Sequence, residues 1–217
     1  INNDPRIMKK LILLLSISML SGCSSIHVID SWKNEDVLFF KPRKLIVIGV
    51  TDNLTARKIF ERELKEEFQK RNINAFESSE IMDVSFTDSK KTETEISSMI
   101  ASLKDKGFDA VIISIVKGVD DKRNYSRGYY TIDYRWRRFP GYYYYYQDIY
   151  YNPEYYSEYK IYHVETSIYN ISENDDKSLI WVGALDIVDP QRISKTIDSY
   201  VAAIMNKLEI DRLITKH

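Results

Sequence analysis

The chain has 217 residues and one cysteine, Cys23, so no disulfide can form within it. A fold must therefore be held by its apolar core. Glycine and proline are scarce, at 7 and 5, which excludes a fibrous or low-complexity chain. Neither charge sign dominates, with 31 Lys and Arg against 32 Asp and Glu. The basic surplus that marks a nucleic-acid binder is missing. Three histidines, His27, His163 and His217, are scattered without metal-ligand spacing. There is no Gly-rich phosphate loop and no G-x-S-x-G elbow. The acid pairs Asp120-Asp121 and Asp175-Asp176 fall where loops are expected and read as solvated turns, and His163 reads as a structural strand residue. The sequence nominates no catalytic residue, no metal site and no cofactor.

What the chain does have starts ahead of Cys23. Met8-Lys9-Lys10 is followed by a mostly apolar run from Leu11 and then by Ser21-Gly22. This charged, apolar and small-residue order is that of an export signal. The run is shorter than the roughly 20 residues that an ordinary membrane-spanning helix needs. Leu20-Ser21-Gly22-Cys23 closely resembles a bacterial lipobox, in which the cysteine thiol is lipidated and the signal is cut before it. Residues 1–22 then read as a signal peptide with an upstream extension at 1–7. Residues 23–43 read as the lipidated N-terminus and first strand, and 44–217 as a single α/β domain. The resemblance implies an envelope lipoprotein held to the membrane through Cys23. Ser24, where an Asp would retain such a protein at the inner membrane, points to the outer membrane.

Hydrophobic periodicity sets the order of elements. Ile26 to Trp32 is rich in β-branched residues and reads as a strand. Lys44 to Val50 and Phe108 to Lys117 are short apolar runs, as in strands buried on both faces. Leu54 to Arg71 reads as a helix, with Ala56, Ile59, Phe60, Leu64 and Phe68 on one face. Glu61, Arg62, Lys65, Glu66 and Lys70 are expected on its solvated face. Ala75 to Ser78 could be a further strand, and 79–91 reads as a loop. Thr92-Glu93-Thr94-Glu95 fits a capping box that opens a helix stopped by Gly107. Tyr159–Ile171 and Ser178–Val188 suggest an antiparallel hairpin, and Asp189-Pro190 a helix start. Trp32 and Trp181 read as core anchors. The expected fold class is α/β (α+β): a mixed sheet with about three packed helices, and a Tyr-rich insert at 125–158 before the C-terminal hairpin and helix.

Three segments carry a wider resemblance: Lys44–Val50 with the helix after it, Phe108–Lys117, and the Tyr159–Val188 hairpin with Leu179-Ile180-Trp181-Val182-Gly183. The layout is similar to small lipoproteins whose α/β domain resembles CsgG, LpoB and the TolB amino-terminal domain. More closely, Thr51-Asp52-Asn53-Leu54-Thr55-Ala56-Arg57 and Ser178-Leu179-Ile180-Trp181 resemble an uncharacterised group of envelope lipoproteins. The resemblance implies a binding role as adaptor, activator or exporter subunit, without naming a partner.

The insert is where composition departs from a plain globular domain, because Tyr125 to Tyr162 holds 15 of the 17 tyrosines. Tyr130, Ile132, Tyr134 and Trp136 alternate with Thr131, Asp133, Arg135 and Arg137, so a strand would put rings on one face. Three readings compete: a projecting loop packed by its own rings, a partner-binding surface, and a membrane-inserting hairpin. Tyr and Arg concentrate binding energy at interfaces. Tyr130, Tyr134, Arg135, Trp136, Arg137, Tyr143 and Tyr145 are the candidate contact residues, for an envelope protein or glycan and not for nucleic acid. On this reading 125–156 could be removed and leave the body folded. The function expected is a non-enzymatic, lipid-anchored envelope protein, with a homo-oligomer left open. The alternatives are an envelope hydrolase or transferase with an unrecognised site, or a subunit of an oligomeric export assembly.

Overall fold

A computed structural model describes residues 26–51, 53–82, 90–121, 138–150, 160–172, 178–188 and 192–216. These build a six-stranded mixed sheet of order β1-β6-β5-β4-β2-β3. The strands are β1 (Ile26–Lys33), β2 (Leu45–Val50), β3 (Ala75–Glu77), β4 (Ala110–Asp121), β5 (Lys160–Asn170) and β6 (Leu179–Val188). β3, β2 and β4 run parallel, while β4, β5, β6 and β1 form an antiparallel meander. Five helical segments accompany them: α1 (Leu54–Lys70), α2 (Ser78–Ile81), α3 (Glu93–Asp105), α4 (Phe139–Tyr150) and α5 (Ile193–Ile210).

Helices cover both faces. α1 and α5 lie on one, where Phe60, Leu64 and Phe68 meet Tyr200, Ile204 and Leu208. Phe60 and Tyr200 stack with ring centroids 5.8 Å apart. α3 and α4 lie on the other, bringing Ile96, Ile100 and Leu103 beside Phe139, Tyr142, Tyr143 and Tyr146. The crossover from β2 out to β3 carries α1, and the return from β3 to β4 carries α3. Two crossovers of one hand that run in opposite directions must use opposite faces. β2 and the first half of β4 are thus buried on both sides, as their apolar runs require.

Local chemistry fixes the helix ends. The Asn53 side chain accepts the Ala56 amide at 3.0 Å and caps α1. Thr92 and Glu95 form the expected reciprocal capping box of α3. Gly107, at φ 84°, and Asn72, at φ 59°, take the left-handed conformation that ends a helix. Gly183 has a packing role: a Cβ there would lie 2.4 Å from Cη2 of Trp181, whose fully buried indole covers it.

Several expectations are corrected. The helix after the hairpin begins at Ile193, later than Asp189-Pro190, and residues 189–191 lie outside the described residues. Ser78–Ile81 forms a short helix that takes the last residue of the expected Ala75–Ser78 strand and the start of the expected 79–91 loop. Among the described residues the mixed sheet carries five helical segments, with α1, α3 and α5 the three long ones expected. Within the insert, 139–150 is a helix seated on the sheet, not part of a projecting loop or hairpin. Asp120 and Asp121 belong to β4, because that strand runs on past Lys117 to pair with Lys160 and Ile161. Glu61 is buried at 1% exposure instead of facing solvent.

Candidate functional site

The register lines up one end of the sheet. Ile26 of β1 lies opposite Ile187 of β6, which lies opposite Tyr162 of β5, which lies opposite Val119 of β4. From this end leave the chain toward Cys23, both strands that flank the Tyr-rich insert, and the segments entering α1 and α5. A cleft of about 510 Å³ opens here, between the first turns of α1 and α5. Its walls include Val50, Phe60, Val116, Tyr162, Ile187 and Ile197, with Ser114 and Tyr200 among the other lining residues.

Two of its hydroxyls, those of Ser114 and Tyr200, join Thr166 in one hydrogen-bonded trio. Ser114 Oγ and Thr166 Oγ1 are 2.7 Å apart, and Tyr200 Oη is 2.6 Å from Thr166 Oγ1 and 3.4 Å from Ser114 Oγ. Burial pushes the Tyr200 phenol up to about 12, so it stays neutral. Asn53 is committed to its helix cap. Among the described residues no carboxylate, imidazole, amine or guanidinium lines the cleft. Such a mostly apolar surface suits an apolar ligand.

The buried ionic groups lie elsewhere. The Glu61 carboxylate accepts from the Gly49 amide at 3.0 Å, the Ser78 amide at 3.0 Å and Arg57 Nε at 2.9 Å. Under α4, Lys117 Nζ donates to Glu165 at 2.8 Å and lies 4.6 Å from the Tyr146 ring centre. Burial pulls Lys117 down, but Glu165 outweighs it and leaves the ammonium above its usual range. Burial, and then the Glu165 charge, hold Tyr142 and Tyr169 well above the phenol range. His163 stands between Asp186 at 2.7 Å and Asp120 at 3.3 Å. Among the described residues no group of three or more His, Cys, Asp or Glu could hold a metal ion. No described helix is long and apolar enough to cross a membrane.

Of the candidate contact residues, Tyr145 is 55% exposed, whereas Tyr143 is 3% exposed and packs against the sheet. A ring in that position contributes to the core of this chain. Cys23, Tyr130, Tyr134, Arg135, Trp136 and Arg137 lie outside the described residues. The sequence reading missed the cleft. Its walls come from β2, α1, β4, β5, β6 and α5, and no local spacing ties them together.

No protein family and no curated protein matches the sequence. Solved structures are similar to the chain at low identity and with TM-scores below 0.5. A PelC dodecamer from Paraburkholderia phytofirmans matches with 11% identity and a TM-score of 0.44, covering 84% of this chain and 96% of that one. The L103M variant of that dodecamer gives 9% identity and 0.41 over 84% and 97%. Lipoprotein GNA1162 from Neisseria meningitidis gives 10% identity and 0.39 over 78% and 99%.

Proposed function

We propose that this protein is a non-enzymatic binding module of the bacterial envelope, lipid-anchored through Cys23 at the outer membrane. The surface that meets its partner is the Tyr/Arg-rich segment around Tyr130, Tyr134, Arg135, Trp136, Arg137 and Tyr145. The partner is an envelope protein or glycan. The kinship with CsgG-, LpoB- and TolB-type domains belongs to this reading and rests on the sequence pattern.

One observation carries it. Ile26, three residues after Cys23, lies at the same end of the sheet as Asp121 and Lys160, which bound the segment holding the insert. A tether there keeps the aromatic segment beside the membrane surface. Tyr and Trp favour such an interface, because each joins an apolar ring to a polar tip. The uncharged cleft and the internally satisfied ionic groups support binding over catalysis.

The test is site-specific photocrosslinking in intact cells, with the probe at Trp136 or Tyr145, against a control at Leu38. Leu38 is 83% exposed and sits in the β1–β2 connection at the far end of the sheet. Capture of a defined envelope component from the insert positions alone supports the reading. Equal capture from Leu38, or none from the insert, overturns it.

A further inference from the structure

We propose that the cleft between α1 and α5 seats one acyl chain carried by Cys23, an inference that rests on the lipidated-cysteine reading above. The occupant follows from four features.

First, the described lining of the cleft carries no charge and is mostly apolar, its polar side chains beyond Ser114 and Tyr200 being Thr51, Asn53, Tyr162 and Thr196. Its buried hydroxyls, Ser114 and Tyr200, are already bonded within the trio they form with Thr166. A charged guest would lose its water and meet no opposite charge among the described lining residues, which is costly. A hydrocarbon chain loses nothing. Second, about 510 Å³ lies within the range of roughly 300–1,000 Å³ typical of pockets that enclose small ligands.

Third, the mouth is apolar and exposed where helices usually carry polar residues. Ile193, the first residue of α5, lines the cleft and is 43% exposed. Seating a chain against it removes this edge from water.

Fourth, the tether reaches. Ile26 is buried on the same face as the cleft, directly across from Ile187 in its wall. Paired strands are about 4.8 Å apart. The three residues back to Cys23 span at most about 11 Å when fully extended. The cysteine sulfur therefore lies within reach of the mouth, and its acyl chain can enter without displacing β1.

The experiment uses the full chain in its own membrane. Cells are supplied with a fatty acid bearing a diazirine near its end, so that the chains on Cys23 become photoreactive. Mass analysis before irradiation reads the acyl mass on Cys23. After irradiation and digestion, the expected product is the Cys23 peptide joined through its chain to a peptide containing Tyr162 or Thr196–Tyr200. Those cleft peptides carrying only the mass of a free bilayer lipid would overturn Cys23 as the source. Adducts confined to bilayer lipid would overturn the seat altogether. Absence of acyl mass on Cys23 would overturn the anchor instead, and it is read independently of the crosslinks.

Two variants sharpen the result. Ala56→Phe fills the cleft from a half-buried position and should cut the joined product at least fivefold. Ile193→Asp changes only the rim, and an acidic residue suits the first turn of a helix, so folding is preserved. It too should cut the product severalfold, because it sets a charge at the mouth. Undiminished product in a folded Ile193→Asp protein would overturn entry by this route.

Discussion

The Glu61 carboxylate accepts the Gly49 amide at 3.0 Å, in the place a neighbouring strand would occupy. β3 pairs with β2 only from Leu45 to Val47, so the Gly49 amide lies beyond its reach. The same carboxylate takes the Ser78 amide where β3 gives way to α2. Arg57, one turn earlier on α1, supplies the compensating charge and reaches Ser78 Oγ with its other arm. Removing one partner of a buried pair leaves the other charge uncompensated, at about 3–5 kcal/mol. Glu61→Ala should lose stability on that scale in urea unfolding. Glu61→Gln keeps an acceptor but not the charge, and should fall between it and wild type.

Ile112 is fully buried in the first half of β4, between Val47 and Ile168. An unpaired carboxylate there costs several kcal/mol, comparable to the ~5–15 kcal/mol that stabilises a typical domain. Ile112→Asp should yield a protein without a cooperative melting transition. A near-wild-type melt would contradict the two-sided burial of β4.

α4 makes the Tyr-rich segment part of the core. Tyr142→Ala should cost about 3–5 kcal/mol, as large-to-small changes of buried aromatics do. Tyr145→Ser, on the exposed side, should stay within about 0.5 kcal/mol of wild type. Replacing 125–156 by a Gly/Ser linker strips Phe139, Tyr142, Tyr143 and Tyr146 from one face of the sheet. That deletion should abolish cooperative unfolding, contrary to the expectation from composition that the insert is dispensable. Trimming 125–136 alone spares α4 and should leave the melt intact.

Glu63 on α1 meets Asp198 on α5. Burial, followed by a hydrogen bond to Asp198, pushes Glu63 from its ordinary 4.5 up to about 7, with Arg62 pulling the other way. The folded state thus holds this proton more tightly than the unfolded chain does. Its stabilisation is complete below about pH 4.5 and is lost as pH rises through about 7. The melting temperature should fall between pH 5 and 8, and Glu63→Gln should flatten that slope. Parallel wild-type and variant profiles would show that the pair shares no proton.

Cys23→Ser should abolish acylation, leaving the signal uncut or releasing a soluble body. Intact-mass measurement and membrane fractionation check this. Unchanged mass and fractionation would remove the anchor from the proposed function.

Much of the scaffold was legible along the chain. Continuous apolar runs placed β2 and β4, the i, i+3, i+4 spacing placed α1 and α5, and Thr92 with Glu95 placed the start of α3. These signals are local, set by backbone geometry over one or two turns or a few residues of strand. α4 was hidden although Phe139, Tyr142, Tyr143 and Tyr146 have helical spacing, because Tyr144 and Tyr145 fill the outward positions with the same residue type. A uniform run erases the contrast between faces on which periodicity depends.

The sequence by itself determined the apolar runs, the helix caps and the lone cysteine in its lipobox-like setting, since each needs only near neighbours. Only the tertiary structure decided that Glu61 is buried and that Asp120 and Asp186 flank His163. It also decided that Ile187 and Ile193 line one cleft at the end of the sheet where Ile26 leads toward Cys23. Those relationships join residues far apart in the chain. They are set by strand order, register and the faces the helices cover, which no local spacing encodes.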